Sequence, residues 1–169
     1  AFLNRKSQLG GDAGFEPSFM PDAAFDFQRE LIGWSCRRGK TEIMAECGLG
    51  KSLIELAWAE NVHRHTGGNV LIAAPLAVSL QTQREAEKFG IEARVSRDGS
   101  VSCPITITNY ERLHYFNAED FVAACGDEAS VIKAFGGKRR KQVTRFFSKL
   151  AYRLLATATP APNDFIELG

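Results

Sequence analysis

The sequence predicts an α/β domain whose sheet is mostly parallel and is covered by helices on both faces. Short apolar runs alternate along the chain with longer helical patterns, and parallel strands require helical crossovers of that kind. The apolar runs are nearly continuous, which is typical of strands buried on both faces. With 169 residues, of which 44% are hydrophobic, the chain is long enough to form one domain with a sizeable core.

The beginning of the chain is predicted to be irregular. Residues 1–21 are rich in Gly, Ser, Asn and Pro, so we expect an N-terminal arm there and the domain itself over residues 22–169. A helix with an apolar face follows the arm, and Asp22 is predicted to be its N-cap. Arg38 and Gly39 are predicted to end this helix, because positive charge and glycine favour a helix C-terminus.

The remaining chain alternates strands and helices, and glycine or proline follows several of these elements, as is typical of their ends. The predicted strands are residues 43–45, 69–74, 91–95, 105–108 and 152–156, together with an apolar run at 121–125. The predicted helices are residues 52–65, 81–89 and 138–150, and residues 163–164 are predicted to cap one further turn.

One glycine-rich turn lies between a predicted strand and a predicted helix, which is the context of a phosphate-binding loop. The cradle itself is expected to be formed by Cys47, Gly48, Leu49 and Gly50. Glycines let several N–H groups face one anion, and the helix that follows adds the positive end of its dipole. We expect Lys51 to contact the β- and γ-phosphates and Ser52 to bind Mg²⁺. The pattern is relaxed, because Ala45 stands at the usual position of the first glycine.

Two acidic residues, Asp127 and Glu128, follow the apolar run 121–125. We assign Asp127 to Mg²⁺ and Glu128 to the role of general base, because phosphoryl transfer needs both a metal ligand and a group that orients water. A surface turn is the alternative interpretation, and the buried run that precedes the acids argues against it. Thr157 and Thr159 follow the last strand, where their hydroxyls could hydrogen-bond the acids and respond to the γ-phosphate.

Taken together, these segments resemble superfamily 2 helicases and translocases, especially the Swi/Snf-type branch and its phage-type members. The resemblance extends in order over residues 25–169. The segments that carry it are Phe27-Gln28, residues 47–52, 70–78 and 107–111, Asp127-Glu128-Ala129-Ser130, and residues 155–160.

The resemblance implies a RecA-like first motor domain that uses ATP and Mg²⁺. It implies that Gln28 reads the adenine and that Thr157 and Thr159 link hydrolysis to movement. It implies a nucleic-acid partner, with DNA favoured over RNA. The residues that it places beside the nucleic-acid strand are Pro75, Leu76, Asn109 and Tyr110.

The chain departs from this family pattern in two ways. Ser130 stands where the family's acidic box usually has His or Asp. The second motor domain, with its arginine finger, is not included, and such an arginine is worth roughly 10³ to 10⁵ in rate. We therefore expect the missing C-terminal domain as a partner, and weak ATP binding and hydrolysis without it.

Composition excludes several other classes of protein. The four cysteines form no CxxC pair, which argues against the common zinc and redox motifs. No run of about 20 apolar residues predicts a membrane span, and no secretory signal is found, so a cytoplasmic protein is expected. The net charge is +1, so a nucleic-acid partner would need a local basic patch. The basic run 138–141 is interpreted as a solvated helix start in preference to such a patch.

Two other functions fit parts of the pattern. A P-loop kinase or another small NTPase would need a substrate lid and a catalytic arginine within the chain. A non-catalytic, nucleotide-gated binding module would use the fold only to switch a partner.

Overall fold

The computed structural model describes residues 14–46 and 48–158, and the following elements lie within them. The strands are β1 (Lys40–Met44), β2 (Val70–Ala74), β3 (Ala93–Val95), β4 (Ile105–Asn109), β5 (Ala123–Gly126) and β6 (Tyr152–Thr157). The α-helices are α1 (Asp26–Arg38), α2 (Lys51–Thr66), α3 (Ser79–Lys88), α4 (Val131–Ala134) and α5 (Gly137–Ser148). Two 3-10 helices, Tyr110–Tyr115 and Ala118–Asp120, follow β4.

The six strands of the described ranges form one sheet in the order β1-β6-β5-β2-β4-β3, and every neighbouring pair is parallel. β2, β4 and β5 are buried along their whole length, as strands between two helical layers should be. β1 lies at an edge and exposes alternate residues. The predicted α/β class with a parallel sheet is therefore confirmed.

The side chains of β2 alternate between two hydrophobic clusters, one on each face of the sheet. Val70 and Ile72 join the cluster formed with α1, α2 and α3, in which Trp58 is fully buried. Leu71 and Ala73 join the cluster formed with α5 and the 3-10 helices. Because successive side chains of a strand point to opposite faces, this central strand connects both halves of the core.

The first helix begins later than predicted. α1 starts after Phe25, which is its N-cap residue, whereas the sequence suggested Asp22 as the cap. The side-chain oxygen of Gln28 accepts a hydrogen bond from the N–H of Phe25, so a residue of the helix itself satisfies the N-cap N–H. The guanidinium of Arg29 donates to the carbonyl of Asp22 and holds it in the preceding turn.

Residues 14–21 contain no helix or strand, yet they are fastened to the domain. The fully buried side chain of Asn61 in α2 accepts hydrogen bonds from the N–H groups of Ser18 and Phe19, each at 2.8 Å. Its amide group also donates to the carbonyl of Phe19 at 2.7 Å. A single asparagine therefore fixes the path of this segment across α2.

The helices predicted at 52–65, 81–89 and 138–150 correspond to α2, α3 and α5, with ends shifted by a few residues. The two 3-10 helices and α4 were not predicted, because elements of one or two turns have too little hydrophobic periodicity to detect. Cys47, Thr159 and the turn predicted at 163–164 lie outside the described residues. Over residues 14–46 and 48–158, no helix combines the length and apolar character needed to cross a membrane.

Candidate active site

The predicted site residues converge at one edge of the sheet. All neighbouring strands are parallel, so the loops that follow β1, β2, β5 and β6 leave the sheet at its carboxyl edge. The glycine-rich turn follows β1, and Asp127 follows β5 directly. Between these strands lies β6, whose last residue is Thr157. Strands β1, β5 and β6, which are separated in the sequence, are therefore neighbours in space.

The glycine-rich turn has the curled backbone that an anion cradle requires. Gly48 and Gly50 have φ values of +86° and +73°, in the left-handed region that glycine adopts without strain. Gly50 is the N-cap residue of α2, and no side chain caps this helix. The N–H groups of the first helical turn, together with the helix dipole, can therefore face a phosphate.

The two glycines serve different purposes. A Cβ atom at Gly48 would meet nothing within 4 Å, so the space above this residue is open. A Cβ atom at Gly50 would lie 2.3 Å from Nε2 of Gln28, so that glycine makes room for a neighbouring side chain. The cradle thus has an open side for a ligand and a packed side that supports it.

Gln28 connects α1 to the cradle. Its side-chain N–H donates to the carbonyl of Leu49 at 2.9 Å, while its oxygen accepts from the N–H of Phe25 at 2.9 Å. The residue is only 5% exposed. The amide nitrogen of Gln28 retains one further N–H donor, and its oxygen retains one further acceptor position. These two positions remain available to hydrogen-bond a base. A residue that the resemblance assigned to adenine therefore also supports the phosphate loop.

Lys51 lies between the loop and the acidic pair. Its ammonium nitrogen is 3.4 Å from a carboxylate oxygen of Glu128 and donates to the carbonyl of Ala45 at 3.2 Å. The Lys51 side chain is 11% exposed and that of Glu128 is 31% exposed, so the ion pair is partly open to water. Glu128 has φ +49°, a left-handed conformation that is strained for a non-glycine residue. Such strain is concentrated at functional sites in proteins.

Asp127 is held at three points. Its N–H donates to the carbonyl of Ala73 at 2.8 Å, and its own carbonyl accepts from the hydroxyl of Tyr110 at 2.8 Å. Its side chain hydrogen-bonds the carboxyl group of Glu55. Asp127 is 6% exposed, so this carboxyl group is largely buried and closely positioned.

Gly126, the residue before Asp127, is required by this packing. A Cβ atom there would lie 2.9 Å from the hydroxyl oxygen of Tyr110 and 3.0 Å from Cδ2 of Leu155. Glycine ordinarily weakens a strand. Here it lets Tyr110 approach closely enough to hold the backbone of Asp127.

Sequence reasoning missed Glu55. It lies in the otherwise apolar run of α2, is completely buried, and hydrogen-bonds Asp127. Burial raises the pKa of Glu55 well above its ordinary value, and the nearby charge of Asp127 raises it further. The sequence pattern that could have identified Glu55 is an acidic residue on an otherwise apolar helix face, one turn after Lys51.

Burial also raises the pKa of Asp127, and the neighbouring charge of Glu128 adds to that effect. Lys51 acts in the opposite direction. A protonated Glu55 that donates to the Asp127 carboxylate leaves only one negative charge between the two groups, although Oε1 of Glu55 is buried without a hydrogen-bond partner. Burial raises the pKa of Tyr110 well above its ordinary value as well, so its hydroxyl remains a neutral donor.

The donor set fits Mg²⁺ and a triphosphate. Among the described residues, no cluster of three or more His, Cys, Asp or Glu side chains could hold a metal ion alone. Mg²⁺ in nucleotide sites takes few protein oxygens and completes its shell with phosphates and water. A hydroxyl at Ser52 and a carboxylate at Asp127, beside an uncapped helix and Lys51, are a set of that kind.

The other predicted residues are placed as follows. Pro75 is half-buried and Leu76 is 64% exposed, directly after β2. Asn109 and Tyr110 are buried, and the Asn109 side chain accepts from the N–H of Arg112 at 3.0 Å. The side chains of Asn109 and Tyr110 therefore have hydrogen-bond partners inside the protein, and their position beside a nucleic-acid strand stays a prediction. Thr157 is buried at the end of β6.

A groove of about 570 Å³ lies beside Thr157, between β1, β6 and α5. It does not include the glycine-rich turn. The chemistry of the site therefore lies at the open carboxyl edge and not in this groove, as expected for a ligand bound mainly by backbone N–H groups and a few polar side chains.

No protein family matches the chain by sequence, and no curated protein matches it. Solved structures do. The UvsW helicase from bacteriophage T4 has a TM-score of 0.69 and 12% identity, covering 94% of this chain and 60% of that chain. The Sulfolobus solfataricus SWI2/SNF2 ATPase core, solved in complex with dsDNA, has a TM-score of 0.73 and 22% identity, covering 89% of this chain and 35% of that chain.

A second structure of T4 UvsW matches with a TM-score of 0.69, and only 34% of its chain is covered. The chain therefore spans between about a third and 60% of the proteins that it matches. The likeness shows the fold alone: the chain folds like one domain of these proteins, in agreement with the predicted RecA-like α/β class.

Proposed function

We propose that the chain is the ATP-binding first motor domain of an ATP-dependent helicase or translocase that acts on nucleic acid, with DNA as its track. The observation that carries this proposal is the position of Lys51. Its ammonium group lies between the glycine-rich turn and Glu128, beside the buried Asp127, at the carboxyl edge of a RecA-like sheet. Phosphoryl transfer needs parts of this kind: a phosphate cradle, a cation, a metal ligand and a group that orients water.

In this proposal the N–H groups of the turn and of the first turn of α2 bind the β-phosphate, and Lys51 contacts the β- and γ-phosphates. Ser52 and Asp127 are the Mg²⁺ ligands, and Gln28 hydrogen-bonds the adenine with its remaining amide positions. When bound, Mg²⁺ neutralises charge across the β- and γ-phosphate oxygens. Cys47 contributes its backbone to the cradle.

Glu128 orients and deprotonates the attacking water. Its carboxylate is paired with Lys51 at 3.4 Å, so the lysine must transfer part of its interaction to phosphate before Glu128 is free to act. Nucleotide binding would therefore release the base that the reaction requires. Thr157, the last residue of β6, connects this step to movement of the domain together with Thr159.

A second RecA-like domain completes the motor. The solved relatives are longer than this chain, and the covered part is 60% or less. An arginine from that domain would stabilise the transition state, which is worth roughly 10³ to 10⁵ in rate. We therefore expect the first domain alone to hydrolyse ATP poorly, both in the cell and as a purified protein.

The test is ATP turnover by the full-length gene product, with and without duplex DNA, single-stranded DNA and single-stranded RNA. A motor should be stimulated by at least one of them, most by DNA. E128Q should still bind ATP and lose the stimulated turnover, while E87Q, an exposed carboxylate on α3, should behave as the unaltered protein.

Different results would identify the rivals. Turnover that no nucleic acid stimulates, but that a small phosphate acceptor does, would indicate a kinase. ATP binding with no turnover under any condition would indicate a nucleotide-gated module. If K51A bound ATP as tightly as the unaltered protein, the assignment of the nucleotide site itself would be wrong.

A further inference from the structure

A groove with a basic wall extends along α5 and leads away from the carboxyl edge that holds the candidate active site. Its volume is about 380 Å³. We call it the basic groove and define it by six of the polar residues that line it: Lys138, Lys141, Arg145 and Lys149 on one wall, and His114 and Asn117 on the other. None of these residues belongs to the nucleotide site.

The four cations of this wall form a single stripe. They are spaced three, four and four residues apart, which places them on the same face of a helix. All four are exposed. At 1.5 Å of rise per residue, the stripe extends over about 16 Å. The whole chain has a net charge of only +1, so this concentration of positive charge is local.

Neighbouring cations of α5 have local partners. The guanidinium of Arg139 lies 5.3 Å from the ring centre of Phe135 and 3.9 Å from a carboxylate oxygen of Glu111. Arg140 donates to the carbonyl of Lys133 at 2.7 Å. These contacts satisfy the cations that do not line the groove.

Three of the four cations that line the groove have no such partner. Among the described residues, no carboxylate lies within 4.0 Å of the side-chain nitrogens of Lys138, Lys141 or Arg145, whereas Lys149 has Glu119 at 3.9 Å. Like charges four residues apart destabilise a helix by roughly 0.2–0.5 kcal/mol per pair. The stability of α5 therefore does not explain this stripe.

The stripe is also rigidly held. Val143, Phe146 and Phe147 of α5 are buried in the hydrophobic cluster beneath, and Phe146 also lines the groove. Helix α5 follows β5 and precedes β6, so it returns from the carboxyl edge to the amino edge of the sheet. Lys138 therefore lies nearest the carboxyl edge. The opposite wall is formed by the 3-10 helix that begins directly after β4 at that same edge.

We propose that the basic groove binds the phosphate backbone of duplex DNA as a second contact of the motor domain. This inference rests on the proposed function. Duplex DNA presents one negative charge per about 1.7 Å of its axis, so a stripe of about 16 Å faces several phosphates. The basic run 138–141, which the sequence suggested to be a solvated helix start, is then part of a binding surface.

The chemistry of the groove predicts its selectivity. Lysine and arginine contacts to phosphate position a protein on DNA but carry no sequence information. Each phosphate that is neutralised contributes about 0.9 to the slope of log affinity against log salt. The basic groove should therefore give strong salt dependence and no preference for base sequence.

The test compares two matched double variants of the full-length gene product. K141A/R145A removes one lysine and one arginine, four residues apart, from the basic groove. R84A/K88A removes the same pair of residue types at the same spacing from exposed positions of α3, on the other face of the sheet. Affinity for duplexes of two unrelated sequences is measured over a series of KCl concentrations.

We expect K141A/R145A to lower the salt slope by about 1.8, since two phosphate contacts of about 0.9 each are lost. The duplex concentration that half-maximally stimulates ATP turnover should rise roughly tenfold or more, equally for both duplexes. R84A/K88A should match the unaltered protein. The single variants K141A and R145A should each lower the slope by about 0.9, and they keep the comparison available if the double variant unfolds.

Equal salt slopes in K141A/R145A and R84A/K88A would overturn the inference, while DNA-stimulated turnover in both would leave the proposed function standing. Polyglutamate is the second probe. If it binds the unaltered protein as tightly as duplex DNA of equal charge, and K141A/R145A abolishes that binding, the groove is a surface for acidic protein segments instead. If the unaltered protein neither binds DNA nor is stimulated by it, the proposed function fails first.

Discussion

The carboxyl group of Glu55 hydrogen-bonds the carboxyl group of Asp127 in the interior of the domain. Glu55 belongs to α2, which begins at Lys51, and Asp127 follows the central strand β5. The contact thus joins the helix of the phosphate loop to the acid assigned to Mg²⁺. Two buried carboxyl groups in contact are stable together only while one of them retains a proton.

The first prediction concerns stability and pH in the absence of Mg²⁺ and nucleotide. Burial raises the pKa of Glu55 well above its ordinary value of 4.5 in the folded protein, and that of Asp127 is raised from 3.8. The folded state therefore binds more protons than the unfolded state above these ordinary values. The contribution of these two carboxyl groups to the free energy of unfolding is therefore fully present below their ordinary values, and it should be lost as pH rises through the raised pKa values.

Urea unfolding between pH 5 and pH 8 measures this dependence. E55Q keeps a hydrogen-bond donor but cannot ionise, so its free energy of unfolding should decline less over the same range. E60Q changes a glutamate of the same helix that is not buried and is the matched control. A steeper decline in E55Q than in the unaltered protein would show that Glu55 is ionised when buried.

The second prediction uses the ion pair between Lys51 and Glu128. Because phosphate must compete with Glu128 for the ammonium group, E128Q should bind ATP as tightly as the unaltered protein or up to about fivefold more tightly, as expected for a partly exposed pair. K51A should weaken ATP binding on the order of 10- to 100-fold, since it removes a charged hydrogen bond to phosphate. Equilibrium binding of a fluorescent ATP analogue measures both.

K88A, an exposed lysine of α3, serves as the control for loss of one positive charge. Weaker ATP binding in E128Q than in the unaltered protein would contradict the competition between carboxylate and phosphate. In that case Glu128 would contribute to binding directly.

Motif spacing was enough to predict the parts of the site that are contiguous in sequence. Lys51, Asp127 and Glu128 follow strands that could be recognised as apolar runs, and parallel strands bring such loops to one edge. The parallel sheet itself was predictable for the same reason. These features depend on local pattern and on a topology with few alternatives.

The partners of those residues were not predictable. Glu55 lies within the otherwise apolar run 53–59 of α2, and its partner is distant in the sequence. The hydroxyl of Tyr110 bonds the carbonyl of Asp127, which is 17 residues away. Both contacts depend on tertiary packing, and a single sequence does not contain that information in local form. The N-cap differs, because Gln28 and Asp22 were both local candidates and the contact of Gln28 with the N–H of Phe25 was the one that formed.

The third prediction tests the packed side of the phosphate loop. Gly50 and Gly67 are both cap residues of α2 in the left-handed conformation, with φ values of +73° and +69°. A Cβ atom at Gly67 would meet nothing within 4 Å, whereas at Gly50 it would lie 2.3 Å from Nε2 of Gln28. G67A should therefore cost only the backbone strain of about 1–2 kcal/mol.

G50A adds displacement of Gln28, so its total cost should be about 2–5 kcal/mol. It should also weaken ATP binding, because Gln28 supports the carbonyl of Leu49. Urea unfolding and ATP titration of both variants make the comparison. Equal losses in G50A and G67A would mean that Gln28 moves aside freely and does not support the loop.

The fourth prediction is a coupling between Gly126 and Tyr110. G126A places a Cβ atom 2.9 Å from the hydroxyl oxygen of Tyr110 and should destabilise the domain by about 1–3 kcal/mol. Y110F removes that oxygen and leaves the carbonyl of Asp127 without its donor, which should cost about 1–3 kcal/mol. In the double variant the crowding is partly relieved, so its loss of stability should be about 1 kcal/mol smaller than the sum of the two single losses.

The control is Y115F, at an exposed tyrosine of the same 3-10 helix, and its loss of stability should be additive with that of G126A. If Y110F and G126A were additive too, the glycine would not be the feature that allows Tyr110 to hold Asp127, and Leu155, 3.0 Å from the same Cβ position, would be its remaining explanation.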